Sequence, residues 1–182
     1  MQKIFLLLLL LFSTLFSSDS KNETLNRVSD ALAIVIPLSA LGTTIYLNDK
    51  DGQYDFYKAF GSTFVSVQAL KLVVNEERPN EENEKSFPSG HASYSFSGAS
   101  FIHFRYGFKY AAIPYLGAIF TAYARVQTDE HYVHDVVAGA ILATTFSYYF
   151  TDEYKVKGAT IQASVFNSID NKHKLYGINV TW

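Results

Sequence analysis

The chain has 182 residues, of which 48% are apolar, 16% aromatic and none cysteine. That length gives one domain with a substantial core, and the lack of cysteine excludes disulfides, thiolate metal sites and cysteine nucleophiles. Lys and Arg number 15 against 17 Asp and Glu, so no broad basic field exists and nucleic acid is excluded as a partner.

The N-terminus has the order of a secretory signal: Lys3, an unbroken apolar run from Ile4 to Phe12, then small and polar residues through Ser20. The run is shorter than the roughly 20 residues a bilayer span needs, which favours cleavage near Ser18 to Ser20 over an uncleaved anchor. Residues 1–20 are thus expected to be a signal peptide or anchor, residues 21–153 a helical domain and residues 154–182 a separate tail.

After the polar stretch Lys21 to Asp30, the uncharged run Ala31 to Leu47 predicts a first helix, broken at Asn48 to Gly52. Tyr54 to Asn75 predicts a second. The loop Glu76 to Ser86 carries five glutamates, and no helix should persist through Pro79. A third helix is expected from about Ser89 to Phe104, with Pro88 and Ser89 as its start signals. Gly107 allows a turn, Tyr110 to Val126 gives a fourth helix, and about Tyr132 to Tyr149 a fifth. Beyond Lys155 the apolar period shortens to two at Ile161, Ala163 and Val165, and again at Tyr176, Ile178, Val180 and Trp182. These runs predict a hairpin joined through Asn167 to Lys174.

Three patches hold the chemistry, and each lies at a predicted helix end: Lys71 with Arg78 and Pro79; Ser89, Gly90 and His91; and Arg125, His131 and Asp135. In an antiparallel bundle those ends share one face. Guanidinium forks and an ammonium suit the equatorial oxygens of a phosphoryl group in transfer, so Lys71, Arg78 and Arg125 are candidate phosphate ligands. The Ser89 hydroxyl and Gly90 amide stand beside them at a helix N-terminus, where the dipole favours an anion. Neutral imidazole is a competent nucleophile, and Asp135, four residues after His131, can accept its N–H and fix its tautomer. His131 is therefore the candidate nucleophile, and His91 the acid that protonates the leaving oxygen. His134 and His103 occupy no position in these patches, and His173 falls in the hairpin.

Lys71 to Arg78-Pro79, Pro88-Ser89-Gly90-His91, and Arg125 to His131 to Asp135 resemble, in order and spacing, the three-part signature K-x6-R-P, P-S-G-H, S-R-x5-H-x3-D. That signature belongs to the type 2 phosphatidic acid phosphatase superfamily, which also holds bacterial nonspecific acid phosphatases and vanadium haloperoxidases. One departure is Ala124, where the family usually has serine before the arginine. The resemblance implies an all-α antiparallel bundle, here with a C-terminal β-hairpin. It also implies a phosphohistidine intermediate on His131, His91 as acid and then base, and no metal or other cofactor.

The expected function is hydrolysis of a phosphomonoester or pyrophosphate, with a lipid-linked phosphate as substrate and membrane lipids as surroundings. Phosphatidate, phosphatidylglycerophosphate, lipid A and undecaprenyl pyrophosphate all fit. With Lys3 inside and alternating spans, the three patches face the periplasm, while Arg105 with Lys109 and Lys155 with Lys157 face inward. Uncharged stretches at the short limit for spanning, and a mean hydropathy close to zero, keep a soluble periplasmic acid phosphatase as the alternative. A vanadate-dependent haloperoxidase and a non-catalytic lipid-binding module are further alternatives. Oligomeric state leaves no mark in the sequence.

Overall fold

The computed structural model describes residues 21–155 and two strands, Thr160–Asn167 and Lys174–Thr181. The expected signal segment, residues 1–20, lies outside the described residues, as do His173 and Trp182. Among the described residues five helices run up and down: α1 (Lys21–Tyr46), α2 (Lys50–Val73), α3 (Gly90–Tyr106), α4 (Phe108–Gln127) and α5 (Val133–Phe150). The strands β1 (Thr160–Asn167) and β2 (Lys174–Thr181) pair antiparallel, from Thr160 opposite Thr181 to Asn167 opposite Lys174. The all-α bundle with a terminal hairpin is the architecture expected from the sequence.

Two helices start earlier than their apolar runs. α1 begins at Lys21 and absorbs the polar stretch, in which Arg27 pairs with Glu23 at 2.7 Å, one turn apart. α2 begins at Lys50 because Asp49 caps it, its carboxylate accepting the Gly52 amide at 3.0 Å. Gly107 ends α3 at φ 98°, a conformation that side-chain-bearing residues rarely adopt.

α3 is the central helix, packed against all four others. Its buried face is made of small residues, among them Ala92, Ser93, Ser97, Gly98 and Ala99, so neighbouring backbones approach closely. A Cβ on Gly98 would lie 2.7 Å from the Pro37 Cα in α1, and one on Gly139 in α5 would lie 2.8 Å from the Ser89 carbonyl oxygen. The larger core side chains gather towards the other end, where Phe101 meets Phe56 edge to face at 5.2 Å.

That far end is closed by a buried ion-pair cluster. Arg105 holds Asp49 with two hydrogen bonds, at 2.8 and 2.5 Å, and donates to the Asp152 carbonyl at 2.8 Å. Tyr106 donates to Asp49 at 2.8 Å, and the Tyr154 amide returns to the Arg105 carbonyl at 2.7 Å. The cluster joins the α1–α2 turn, the end of α3 and the segment after α5. Arg105 is thus a buried, paired cation.

Candidate active site

Up-and-down connectivity puts the start of α1, the end of α2, the start of α3, the end of α4 and the start of α5 at one end of the bundle. All eight candidate residues, Lys71, Arg78, Ser89, Gly90, His91, Arg125, His131 and Asp135, lie at that end. α3 and α5 are locked together there. The Ser89 amide donates to the Asp135 carbonyl at 3.1 Å, and Gly139 lets the first turn of α3 rest directly on α5.

Asp135 stands in the first turn of α5, fully buried. Its Oδ2 accepts the Ser86 hydroxyl at 2.6 Å and the Tyr132 amide at 2.9 Å, and lies 3.5 Å from His131 Nδ1. His131 precedes the helix, with its amide donating to the Arg125 carbonyl at 3.1 Å, so its spacing from Asp135 is not one helical turn as the sequence implied. The two meet because the chain turns into α5 between them. Burial opposes ionisation of Asp135, but hydrogen bonds from His131, Ser86 and the Tyr132 amide outweigh it and hold the carboxyl below its ordinary range. Burial pushes the His131 imidazole down, with the charges of Lys71, Arg78 and Arg125 adding to the effect, while Asp135 pulls the other way. The neutral form of His131 is therefore favoured.

Three cations surround these imidazoles. Lys71 donates to the Lys85 carbonyl at 2.6 Å, and burial, with Arg78 adding to it, pushes its ammonium down to about 8. Arg78 and Arg125 share one oxygen of Glu130, Arg125 at 2.9 Å. Arg125 also reaches Asp30 at 3.2 Å and Asn26 at 3.4 Å. His91 Nε2 lies 2.9 Å from the same oxygen of Asp30. Burial first, then Arg125, pushes His91 down to about 4; Asp30 raises it, and His131 is near enough to add to the lowering.

Glu130 and Asp30 occupy the outer N–H groups of the two guanidinium groups, while Nε of Arg78, Nε of Arg125 and the Ser89 hydroxyl are buried with no hydrogen-bond partner. Ser89 caps α3 in position only, since its side chain makes no cap bond. Buried donors left unpaired are costly, and these three lie at the end of the bundle that also carries the N-terminus of α3 and the Lys71 ammonium.

Sequence reasoning missed Asp30, Glu130 and Ser86. Asp30 and Glu130 are acidic residues in polar stretches, and what marks them is the partner that the fold brings to each. The acidic loop Glu76 to Ser86 is tied down: the Arg78 amide donates to the Asn83 carbonyl at 3.0 Å and the Asn80 amide to the Asp129 carbonyl at 3.0 Å.

The family model of the PAP2 superfamily matches residues 54–156. A lipid A 4'-phosphatase of Helicobacter pylori is 33% identical over 107 residues, which are 58% of this chain and 53% of that protein. A lipid A 1-phosphatase of Porphyromonas gingivalis is 33% identical over 144 residues, 74% of this chain and 32% of that protein. The chain thus spans about half the length of the first of these relatives and about a third of the second. Among solved structures, the crystal structure of Aquifex aeolicus LpxE superposes with a TM-score of 0.61 at 21% identity, covering 78% of this chain and 92% of that one, a likeness of fold. With the family model matching more than half of its length, the chain belongs to the PAP2 superfamily.

Proposed function

We propose that the protein is a phosphatase that hydrolyses a lipid-linked phosphomonoester or pyrophosphate through a phosphohistidine on His131. The observation that carries this is the set of unpartnered buried donors, Arg78 Nε, Arg125 Nε and the Ser89 hydroxyl, beside two imidazoles of different surroundings. The phosphoryl oxygens would be held by Lys71, Arg78, Arg125, the Ser89 hydroxyl and the Gly90 amide. Because His131 Nδ1 faces Asp135, its Nε2 attacks phosphorus, and the imidazolium charge that develops is stabilised by Asp135. Because His91 Nε2 faces Asp30, its other nitrogen carries the proton to the leaving oxygen. His91 then takes a proton from the water that attacks the phosphohistidine, returning His131 to its neutral form.

Membrane embedding is part of this reading. Large apolar side chains lie on the outer faces of α1, α2, α4 and α5, such as Leu38, Val65, Leu116 and Ile141, while serine, threonine, alanine and glycine fill much of the interior. That distribution suits packing in lipid, where small residues let helices approach. α1 is long and apolar enough to cross a bilayer. The site end would face the periplasm. The names borne by the bacterial relatives make lipid A the first substrate to test.

The test is phosphate release from lipid A and from a simple phosphomonoester by the purified chain in EDTA. Wild type should turn over without added metal and His131→Ala should not, and turnover retained by His131→Ala would refute the assigned nucleophile.

A further inference from the structure

Beside the proposed phosphate site stands a second cluster, Glu76, His134 and Asp135, of which only Asp135 takes part in the proposed reaction. His134 Nε2 lies 2.7 Å from Glu76 Oε1 and 3.2 Å from Asp135 Oδ1, and the three ligand atoms all fall within 4.8 Å of one another. One imidazole and two carboxylates are a donor set that zinc and its neighbours accept. Ligands about 2.0–2.2 Å from a tetrahedral cation sit roughly 3.3–3.6 Å apart, so only a small widening is needed.

The ordinary alternative is an imidazole shared between two carboxylates. It leaves Asp135 Oδ1 unexplained. That atom is fully buried and has no hydrogen bond, although His134 is close, because the single Nε2–H is spent on Glu76. A cation satisfies both oxygens and the ring nitrogen together, which one hydrogen cannot do. The His134 ring is held by stacking on Tyr132 at 5.4 Å and on Phe87 at 6.2 Å, so Nε2 is aimed before any ligand arrives. His134 is 57% exposed, which gives an ion direct entry from solvent.

We propose that Glu76 Oε1, His134 Nε2 and Asp135 Oδ1 form a site for a divalent transition cation of the zinc class, whose occupancy slows the phosphatase. The site joins the end of α2 to the first turn of α5 and shares Asp135 with His131, one carboxylate oxygen for each. A cation on Oδ1 withdraws negative charge from the carboxylate and weakens its stabilisation of the His131 imidazolium. The inhibitory half of this inference rests on the proposed function, whereas the binding half does not.

The experiment is calorimetric titration of ZnCl2 into the purified full chain, with Co²⁺ absorption as a second readout of ligation, for wild type, Glu76→Gln and His134→Gln. Wild type should bind one Zn²⁺, and each substitution should weaken it by at least about tenfold, the lower bound for losing even an outer partner of a metal ligand. Zn²⁺ should inhibit wild-type phosphate release, and the inhibiting concentration should rise by the same factor in both variants while their metal-free turnover persists. Absence of binding in wild type, or equal binding in the variants, would overturn the site. Weakened binding with unchanged inhibition would overturn the coupling to His131. Binding heats need no substrate, so a chain that binds Zn²⁺ here but releases no phosphate would refute the proposed function and leave the metal site standing.

Discussion

His91 and His131 lie at the same end of the bundle with different carboxylate partners. Asp135 sets the orientation of one and Asp30 that of the other, and only Asp135 belongs to the motif spacing read from the sequence. Asp30→Asn should therefore lower kcat with little change in KM. A loss of about tenfold, or 1.4 kcal/mol of barrier, is expected for an alkyl phosphate and a smaller one for an aryl phosphate, whose leaving oxygen needs less protonation. Equal losses on both substrates would show that Asp30 serves the fold and not the proton.

The pH dependence follows from the same groups. The proposed mechanism needs His131 neutral and His91 protonated. His131 is held below its ordinary range, which favours its neutral form, whereas burial and Arg125 push His91 down to about 4, so that it gains its proton only as pH falls. kcat/KM should thus rise from neutral towards acid pH. Above about 8, Lys71 loses its charge and KM should climb. Bound phosphate, being anionic, raises His91, so the kcat profile should extend to higher pH than that of kcat/KM. A flat kcat/KM between pH 5 and 8 would contradict this assignment of the proton.

At the level of elements, the site depends on how closely α5 can lie against the start of α3. Gly139 carries that contact: a methyl there would sit 2.6 Å from the Ser93 hydroxyl and 2.8 Å from the Ser89 carbonyl oxygen, the second being backbone that cannot step aside. Gly139→Ala should cost about 1–3 kcal/mol of stability and reduce turnover more than it reduces thermal stability would suggest, because Ser89 and His131 are moved apart. Thermal unfolding and kcat measured on the same preparation check it. Helix order was legible in the sequence because apolar runs and Gly or Pro breaks mark it. The true start of α1 was not, since Lys21 to Asp30 is polar and its helical role depends on partners in α4 and the loop after it: Asp30 on Arg125, and Asn26 accepting from Thr128 at 2.7 Å. Motif spacing named Lys71, Arg78 and Arg125. It was silent on Glu130, whose bond to both guanidinium groups exists only once α2 and α4 end at the same face.

Across the whole molecule, polarity is arranged by end and not by layer. One end gathers the proposed phosphate-binding groups, the other the Arg105 and Asp49 cluster, and between them α1, α2, α4 and α5 turn apolar side chains outward. Removing one partner of the far cluster by Arg105→Ala should cost about 3–5 kcal/mol, since the buried Asp49 carboxylate would lose its counter-charge; chemical denaturation in detergent checks this. The outward apolar faces give a further expectation: the full chain should sediment with membranes and require detergent for release, and recovery in a salt-washed soluble fraction would favour the soluble periplasmic alternative.

The central claim is that His131 becomes phosphorylated during turnover. Rapid quenching of the protein with 32P-labelled substrate, followed by peptide mapping, addresses it directly. A label on His131 that survives alkali but is lost in acid, forms and decays at rates compatible with kcat, and is absent from His131→Ala is the expected result. Steady turnover with no label on His131 at any quench time, or label on another residue, would contradict it.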